Sequence, residues 1–209
     1  MKDFNAIIFD LGGVILNIDY SLTKIAFEEL GIDDFNAIYS QAKQNDLFDL
    51  LEKGEISAQH FINKMLDYLP SGTSPNKVVK AWNAMLLDLP KVRLELLNSL
   101  QTKYRTFLLS NTNEIHVKAF HSIIRKQHNI ENLDSFFEKT YYSNELQKRK
   151  PDVATFLHLC EENKLDPKST LFIDDSIQHI EGAMEAGLIA HHLKGDEKIE
   201  NLPFLGINR

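Results

Sequence analysis

Short apolar runs recur along the chain at wide intervals, and most of them close on a polar residue. Residues 6–10, 106–110, 139–143, 170–174 and 188–193 have the length and apolar content of strands. Between the later runs, apolar positions recur at spacings of three and four, in 94–100 and again in 153–160. That is the period of a helix burying one face. Strands alternating with helices predict an α/β fold: a parallel sheet covered on both faces, a three-layer Rossmann-like core.

The stretch from Leu16 to Leu89 breaks the alternation, because it carries no strand pattern. Phe48-Asp49-Leu50-Leu51-Glu52-Lys53-Gly54 reads as a helix ending at a glycine C-cap. Ser57 suits the N-cap of a helix over 58–68, and Pro70-Ser71-Gly72 stops it. A further helix is expected over 76–87, before Pro90. The expected organisation is therefore a core of residues 1–15 and 89–209, with residues 16–88 as a helical insert. No internal repeat or low-complexity tract interrupts it.

Composition narrows the partners. The 209 residues are 43% hydrophobic and 25% charged, the balance of a soluble globular protein. A net charge of −7 argues against a general nucleic-acid or anionic-membrane binder. No stretch approaches membrane-spanning length, and the first apolar run is too short for a signal peptide and ends on Asp10. One cysteine, Cys160, gives no disulfide framework and fits a reducing cytosol. Its apolar neighbours point to packing. These features predict a cytoplasmic protein.

Four polar clusters sit where chemistry is expected. Asp10 ends the first run and is followed by Gly12 and Gly13, which permit close backbone approach or positive φ. Ser110-Asn111 closes the second strand, and Lys150-Pro151 opens a helix over 152–162. Asp174-Asp175 closes the fourth strand. Each alone has an ordinary explanation as a turn, a helix start or a cap. In this order, with three at the carboxyl ends of strands, they point to the crevice where open α/β sheets bind ligands.

The order Asp10, Ser110, Lys150, Asp174-Asp175 resembles the four motifs of the haloacid dehalogenase (HAD) superfamily, most of whose members are magnesium-dependent phosphohydrolases. The likeness spans essentially the whole chain, and the insert resembles the family's small helical cap of the C1 type, between motifs one and two. Phe9-Asp10-Leu11-Gly12-Gly13-Val14, Gly54-Glu55-Ile56-Ser57, Ser110-Asn111-Thr112-Asn113 with His116, and Arg149-Lys150-Pro151 resemble one subgroup. It contains the α-glucose-1-phosphate phosphatase type and the phosphatase domain of epoxide hydrolases. The resemblance implies that Asp10 attacks phosphorus and forms an aspartyl-phosphate. It implies Ser110, the Asn111 amide and Lys150 as phosphate ligands, with Lys150 also balancing the charge of Asp10. It implies Mg²⁺ held by Asp10, the Gly12 carbonyl and the Asp174-Asp175 pair, hard oxygens of the kind magnesium takes. The substrate is expected to be a small phosphorylated metabolite, such as a sugar phosphate.

One position departs from the pattern. Family phosphatases carry a second Asp two residues after the nucleophile, to protonate the leaving oxygen and activate water; here that position is Gly12. General acid–base help is worth ~10²–10⁴-fold. Three explanations stay open: a substrate such as a sugar 1-phosphate whose leaving group needs little protonation; a donor elsewhere, for example Asp19, Glu52 or Glu55; or weak turnover. Two alternative functions follow. A metal-independent 2-haloacid dehalogenase also lacks the second Asp but has no use for Asp174-Asp175, and a phospholigand-binding module would keep the fold without turnover. The pair His191-His192 points to opposite faces of its strand, His116 is expected to order the Ser110 loop, Trp82 to pack, and Gln147-Lys148-Arg149 to form a solvated turn.

Overall fold

The structure, a computed structural model, describes residues 3–37 and 46–205. Five strands form one all-parallel sheet: β1 (Ala6–Phe9), β2 (Arg105–Ser110), β3 (Lys139–Tyr142), β4 (Thr170–Asp174) and β5 (Ile189–His192), in the order β3-β2-β1-β4-β5. This is the expected α/β, Rossmann-like architecture. The run is apolar throughout because a parallel sheet is buried on both faces. Alternate residues of β1 show it: Ile7 and Phe9 join one core cluster, while Ala6 and Ile8 join another. The chain steps from β1 outward to β2 and β3, then returns to place β4 on the other side of β1. That reversal puts the topological switch point at the carboxyl ends of β1 and β4.

Between β1 and β2, before the core resumes, the described residues include the helices α1 (Tyr20–Glu29), α2 (Leu47–Glu52), α3 (Ala58–Leu66) and α4 (Pro75–Trp82). The described core helices are α5 (Lys91–Gln101), α6 (Glu114–His128), α7 (Ser143–Leu146), α8 (Val153–Glu162) and α9 (Ile177–Glu185). The insert has its own apolar cluster, including Phe27, Phe48, Phe61, Met65 and Trp82; of the described core residues, only Ile115 of α6 is among its buried members. Gly54 follows α2 with φ +67°, and the Ser57 hydroxyl accepts the His60 N–H at the start of α3.

Several boundaries differ from the sequence expectation. The helix expected over 76–87 begins at Pro75, whose missing N–H costs nothing at N1, and tightens into a 3₁₀ turn at Asn83–Met85. The helix expected to reach residue 68 stops at Leu66, and Ser143 opens α7 rather than ending β3. The insert also holds extended pairing that the sequence did not suggest. Ile18 and Leu86 form an antiparallel bridge, flanked by Asn17 N–H to Asp88 O (2.9 Å) and Asp19 N–H to Met85 O (2.9 Å). A pairing this short leaves no alternation for a period-two pattern to detect. It ties the outgoing and returning strands of the insert together beside the switch point.

Candidate active site

The site is built from strand ends. Asp10 lies one residue past β1 and still donates its N–H to Ile173 O of β4 (2.9 Å), so its position is fixed by the sheet. The chain then turns at Gly13, with φ +76°. A Cβ there would stand 2.2 Å from Asp175 Oδ2, so only glycine lets this turn pass beneath the Asp175 carboxylate.

Lys150 is fully buried at the centre. Its ammonium donates to Asp10 Oδ1, to Leu109 O (2.8 Å) and to Asp174 Oδ2 (2.8 Å), which spends all three of its protons. Asn111 holds the Lys150 main chain from both sides: its Nδ2 donates to Lys150 O (2.9 Å) and its Oδ1 accepts from Lys150 N (2.9 Å). The Asn111 side chain is therefore committed to placing Lys150 and is not available to a ligand. Asp174 also accepts from Ser176 N (2.8 Å), and His179 Nδ1 lies 3.0 Å from each of its oxygens. His179 was not anticipated; its sequence signal is its place on the first turn of the helix following Asp174-Asp175.

Charge is unevenly compensated here. Carboxylate oxygens of Asp10, Asp174 and Asp175 lie within 4.8 Å of one another, and the Lys150 ammonium bonds two of the three, Asp10 and Asp174. Burial, then repulsion from Asp174 and Asp175, pushes the Asp10 carboxyl above its ordinary range, against the pull of Lys150. Burial and Asp174 likewise push Asp175 up. At Asp174 burial is outweighed by Lys150 and His179, which hold it down. Burial alone would discharge Lys150, but Asp10 and Asp174 keep it an ammonium. Three hard carboxylates with one counter-charge are a donor set suited to a divalent cation.

Beside this cluster opens a cavity of about 420 Å³ between sheet and insert, lined on the core side by Gly12, Ser110 and Asn111 and on the insert side by Tyr20, Glu52 and Trp82, among others. The insert is tied down around it. Arg149 pairs with Asp49, and its Nη2 lies 2.9 Å from Glu52 Oε2; the charged turn is thus an anchor rather than a solvated loop. The α6 carboxylate of Glu114 accepts the Ala58 N–H at the start of α3 (2.7 Å). His116, expected to order the Ser110 loop, instead reaches the insert: its ring stacks on Trp82 (5.2 Å between centroids, 11°) and its Nδ1 lies 2.8 Å from Asn83 Oδ1. Burial lowers its pKa to about 4. Trp82 packs between His116 and Phe48, and lines the cavity as well. His191 and His192 do not converge: His192 Nε2 bonds Asp175 O (3.0 Å), while His191 lies beside Glu197 and Phe204.

Comparison with known proteins agrees with this geometry. Residues 4–187 match the family profile described as "Hydrolase: haloacid dehalogenase-like hydrolase". The chain is 29% identical over 181 residues to the D-ribitol-5-phosphate phosphatase of Bacteroides thetaiotaomicron, covering 87% of each. Among solved structures, a HAD family enzyme of Bacteroides thetaiotaomicron in complex with magnesium and inorganic phosphate superposes with TM-score 0.82 at 32% identity, over 94% of this chain and 97% of that one. A predicted HAD-like hydrolase from Porphyromonas gingivalis gives TM-score 0.80 at 29% identity over 91% of both chains. The chain belongs to the haloacid dehalogenase-like hydrolases.

Proposed function

We propose that this hydrolase is a Mg²⁺-dependent phosphatase acting on a sugar or sugar-alcohol phosphate through an aspartyl-phosphate on Asp10. The observation that carries this reading is the Lys150 ammonium, buried between Asp10 and Asp174, with the neighbouring Gly12, Ser110 and Asn111 lining a cavity wide enough for a small metabolite. The phosphatase named among the relatives, and the neighbour crystallised with magnesium and phosphate, support it.

Mg²⁺, when bound by Asp10, Asp174, Asp175 and the Gly12 carbonyl, neutralises the phosphoryl charge that repels a nucleophile. The rest falls to the chain. The end of β1 fixes Asp10 next to Gly12, which lines the cavity, and Lys150 favours its ionised form and offsets charge gathering on the phosphoryl oxygens. Ser110 and the Asn111 N–H, at the end of β2, hold two of those oxygens. His179 and the Ser176 N–H fix the orientation of Asp174. The insert, residues 16–88, serves as the cap that contacts the substrate beyond its phosphate. Because D-ribitol 5-phosphate is an ester of a primary alcohol, we favour an alkyl ester over an anomeric one.

The test is inorganic phosphate release from a panel of phosphorylated metabolites with Mg²⁺ and with EDTA. This reading expects release from sugar or sugar-alcohol phosphates that EDTA abolishes. Release unaffected by EDTA, or halide release from 2-chloropropionate instead, would contradict it.

A further inference from the structure

We propose that Glu52, carried by the insert, is the general acid–base of this site and works from across the cleft where position 12 has no side chain. The proposal rests on the phosphatase reading above.

Glu52 is the carboxyl group that the cavity presents. Among the described residues that line it, the ionisable side chains are Tyr20, Lys24, Glu52 and His116, and Glu52 is the only carboxylic acid of these. The other three are poorly suited to giving and taking a proton. His116 is committed to Asn83 and stacked on Trp82. Lys24 Nζ pairs with Glu28 at 3.8 Å. The Tyr20 phenol is held protonated, first by desolvation and then by the charges of Asp10, Asp175, Glu52 and Asp174; with the residue 67% exposed, those carboxylates are the firmer cause. The two other acids singled out in the sequence are placed elsewhere. Asp19 caps α1, accepting the N–H and hydroxyl of Ser21 at 2.9 and 2.6 Å, and neither it nor the exposed Glu55 lines the cavity.

The surroundings of Glu52 suit a group that alternates between acid and base. Its side chain is 26% exposed, and its partner Arg149 also serves Asp49, so a single guanidinium is divided between two carboxyls. Burial and the Asp49 charge favour the protonated form, while Arg149 and Lys150 favour the anion; the balance lies above the ordinary glutamate range. Tyr20 of α1 lines the same cavity. Arg149 directly precedes Lys150, so the guanidinium that holds Glu52 is fixed to the same segment as the ammonium that holds Asp10.

The chemistry balances. As a lone pair of the Asp10 carboxylate forms the new O–P bond, the bond to the leaving oxygen breaks and its electron pair stays on that oxygen. The leaving oxygen takes the Glu52 proton and departs as the alcohol, leaving Glu52 ionised. In the second half, the Glu52 carboxylate takes a proton from water as the water oxygen attacks phosphorus. The bond to Asp10 breaks, inorganic phosphate leaves, and Asp10 is again a carboxylate with Glu52 again protonated.

The test compares a sugar-alcohol phosphate with p-nitrophenyl phosphate, whose leaving group needs no proton, at saturating Mg²⁺. Glu52→Gln is expected to lower kcat on the alkyl ester by ~10²-fold or more and to remove the fall in rate at high pH. Its effect on the aryl ester should be smaller by at least about ten-fold. Glu52→Asp, which retracts the acid by one methylene, should give an intermediate loss confined to the alkyl ester, and covers the case that Gln impairs folding. Asp49→Asn loosens the same arginine without lining the cavity, and should treat both esters alike. Equal losses on the two esters in Glu52→Gln, or an Asp49→Asn profile matching it, would make Glu52 a tie to Arg149 and overturn its catalytic role while leaving the phosphatase reading intact. A wild-type chain inert to both esters would overturn that reading and the role of Glu52 with it.

Discussion

The two halves of the site hold charge in different ways. On the core side, Lys150 and Asp174 are fully buried and Asp10 nearly so; their polar contacts come from the strand ends of one sheet and from the segments that directly follow them or lead into the next helix. On the insert side, Asp49, Glu52 and Arg149 are partly exposed and meet only because the insert lies against the core. The difference divides the labour. Groups whose position must not vary are held by the sheet. Those that would meet the leaving alcohol in the proposed reaction ride on helices attached by a few polar ties and one bridged pair of connecting segments.

Breaking an ion pair on each side should expose that contrast most strongly. Lys150→Met leaves two buried carboxylates without their cation, and is expected to cost about 3–5 kcal/mol of unfolding free energy in EDTA. Part of that loss should return with Mg²⁺, which takes over the counter-charge. Arg149→Met breaks partly exposed pairs and should cost only about 0–1 kcal/mol. Urea unfolding of both variants, with and without Mg²⁺, measures this; equal costs would erase the distinction.

Acid should separate the halves next. His116 is held neutral, with its pKa lowered to about 4 by burial against a reference of 6.5. Between those values the unfolded chain binds more protons, so stability falls as pH drops from 6.5 towards 4, by up to about 3 kcal/mol. Because His116 joins α6 to Trp82 and Asn83 of the insert, the loss should appear there first. Hydrogen exchange at pH 5 and pH 7 is expected to show α4 opening at the lower pH while β1 and β4 stay protected. Uniform loss would mean that the two halves unfold as one.

Position 12 gives the smallest effect. A Cβ at Gly12 would lie 3.1 Å from Ile18 Cδ1, the far end of a flexible side chain, so Gly12→Asp should fold. If Glu52 already supplies the proton, the substitution changes wild-type turnover of an alkyl phosphate by less than about three-fold. In a Glu52→Gln background it should recover ~10-fold or more of the lost rate. A large gain in the wild-type background instead would mean that no donor serves this site.

Much of the core was legible in the chain because its chemistry is local to strand ends. Asp10, Ser110 and Asp174 each close an apolar run, and a run's end is visible without knowing how the sheet is assembled. Even Lys150, far from Asp10 in sequence, carried the signal of its Pro151 neighbour. The insert was legible only as helices. Which face of α2 turns to the core depends on packing, so Asp49 and Glu52 reaching Arg149 left no periodic trace. His116 was misplaced for the same reason: its neighbours in sequence are the Ser110 loop, while its partners in space are Trp82 and Asn83. The pairing of Ile18 with Leu86 spans the whole insert in sequence, beyond the reach of any local pattern.

The covalent step at Asp10 is the claim on which the rest depends. Mass spectrometry of the protein quenched in acid during turnover of a sugar-alcohol phosphate with Mg²⁺ reads it directly. The predicted result is phosphate on the peptide that contains Asp10, absent in Asp10→Asn, which should also lose turnover by ~10⁴-fold or more. Phosphate on another residue, or turnover that survives Asp10→Asn, would contradict the account.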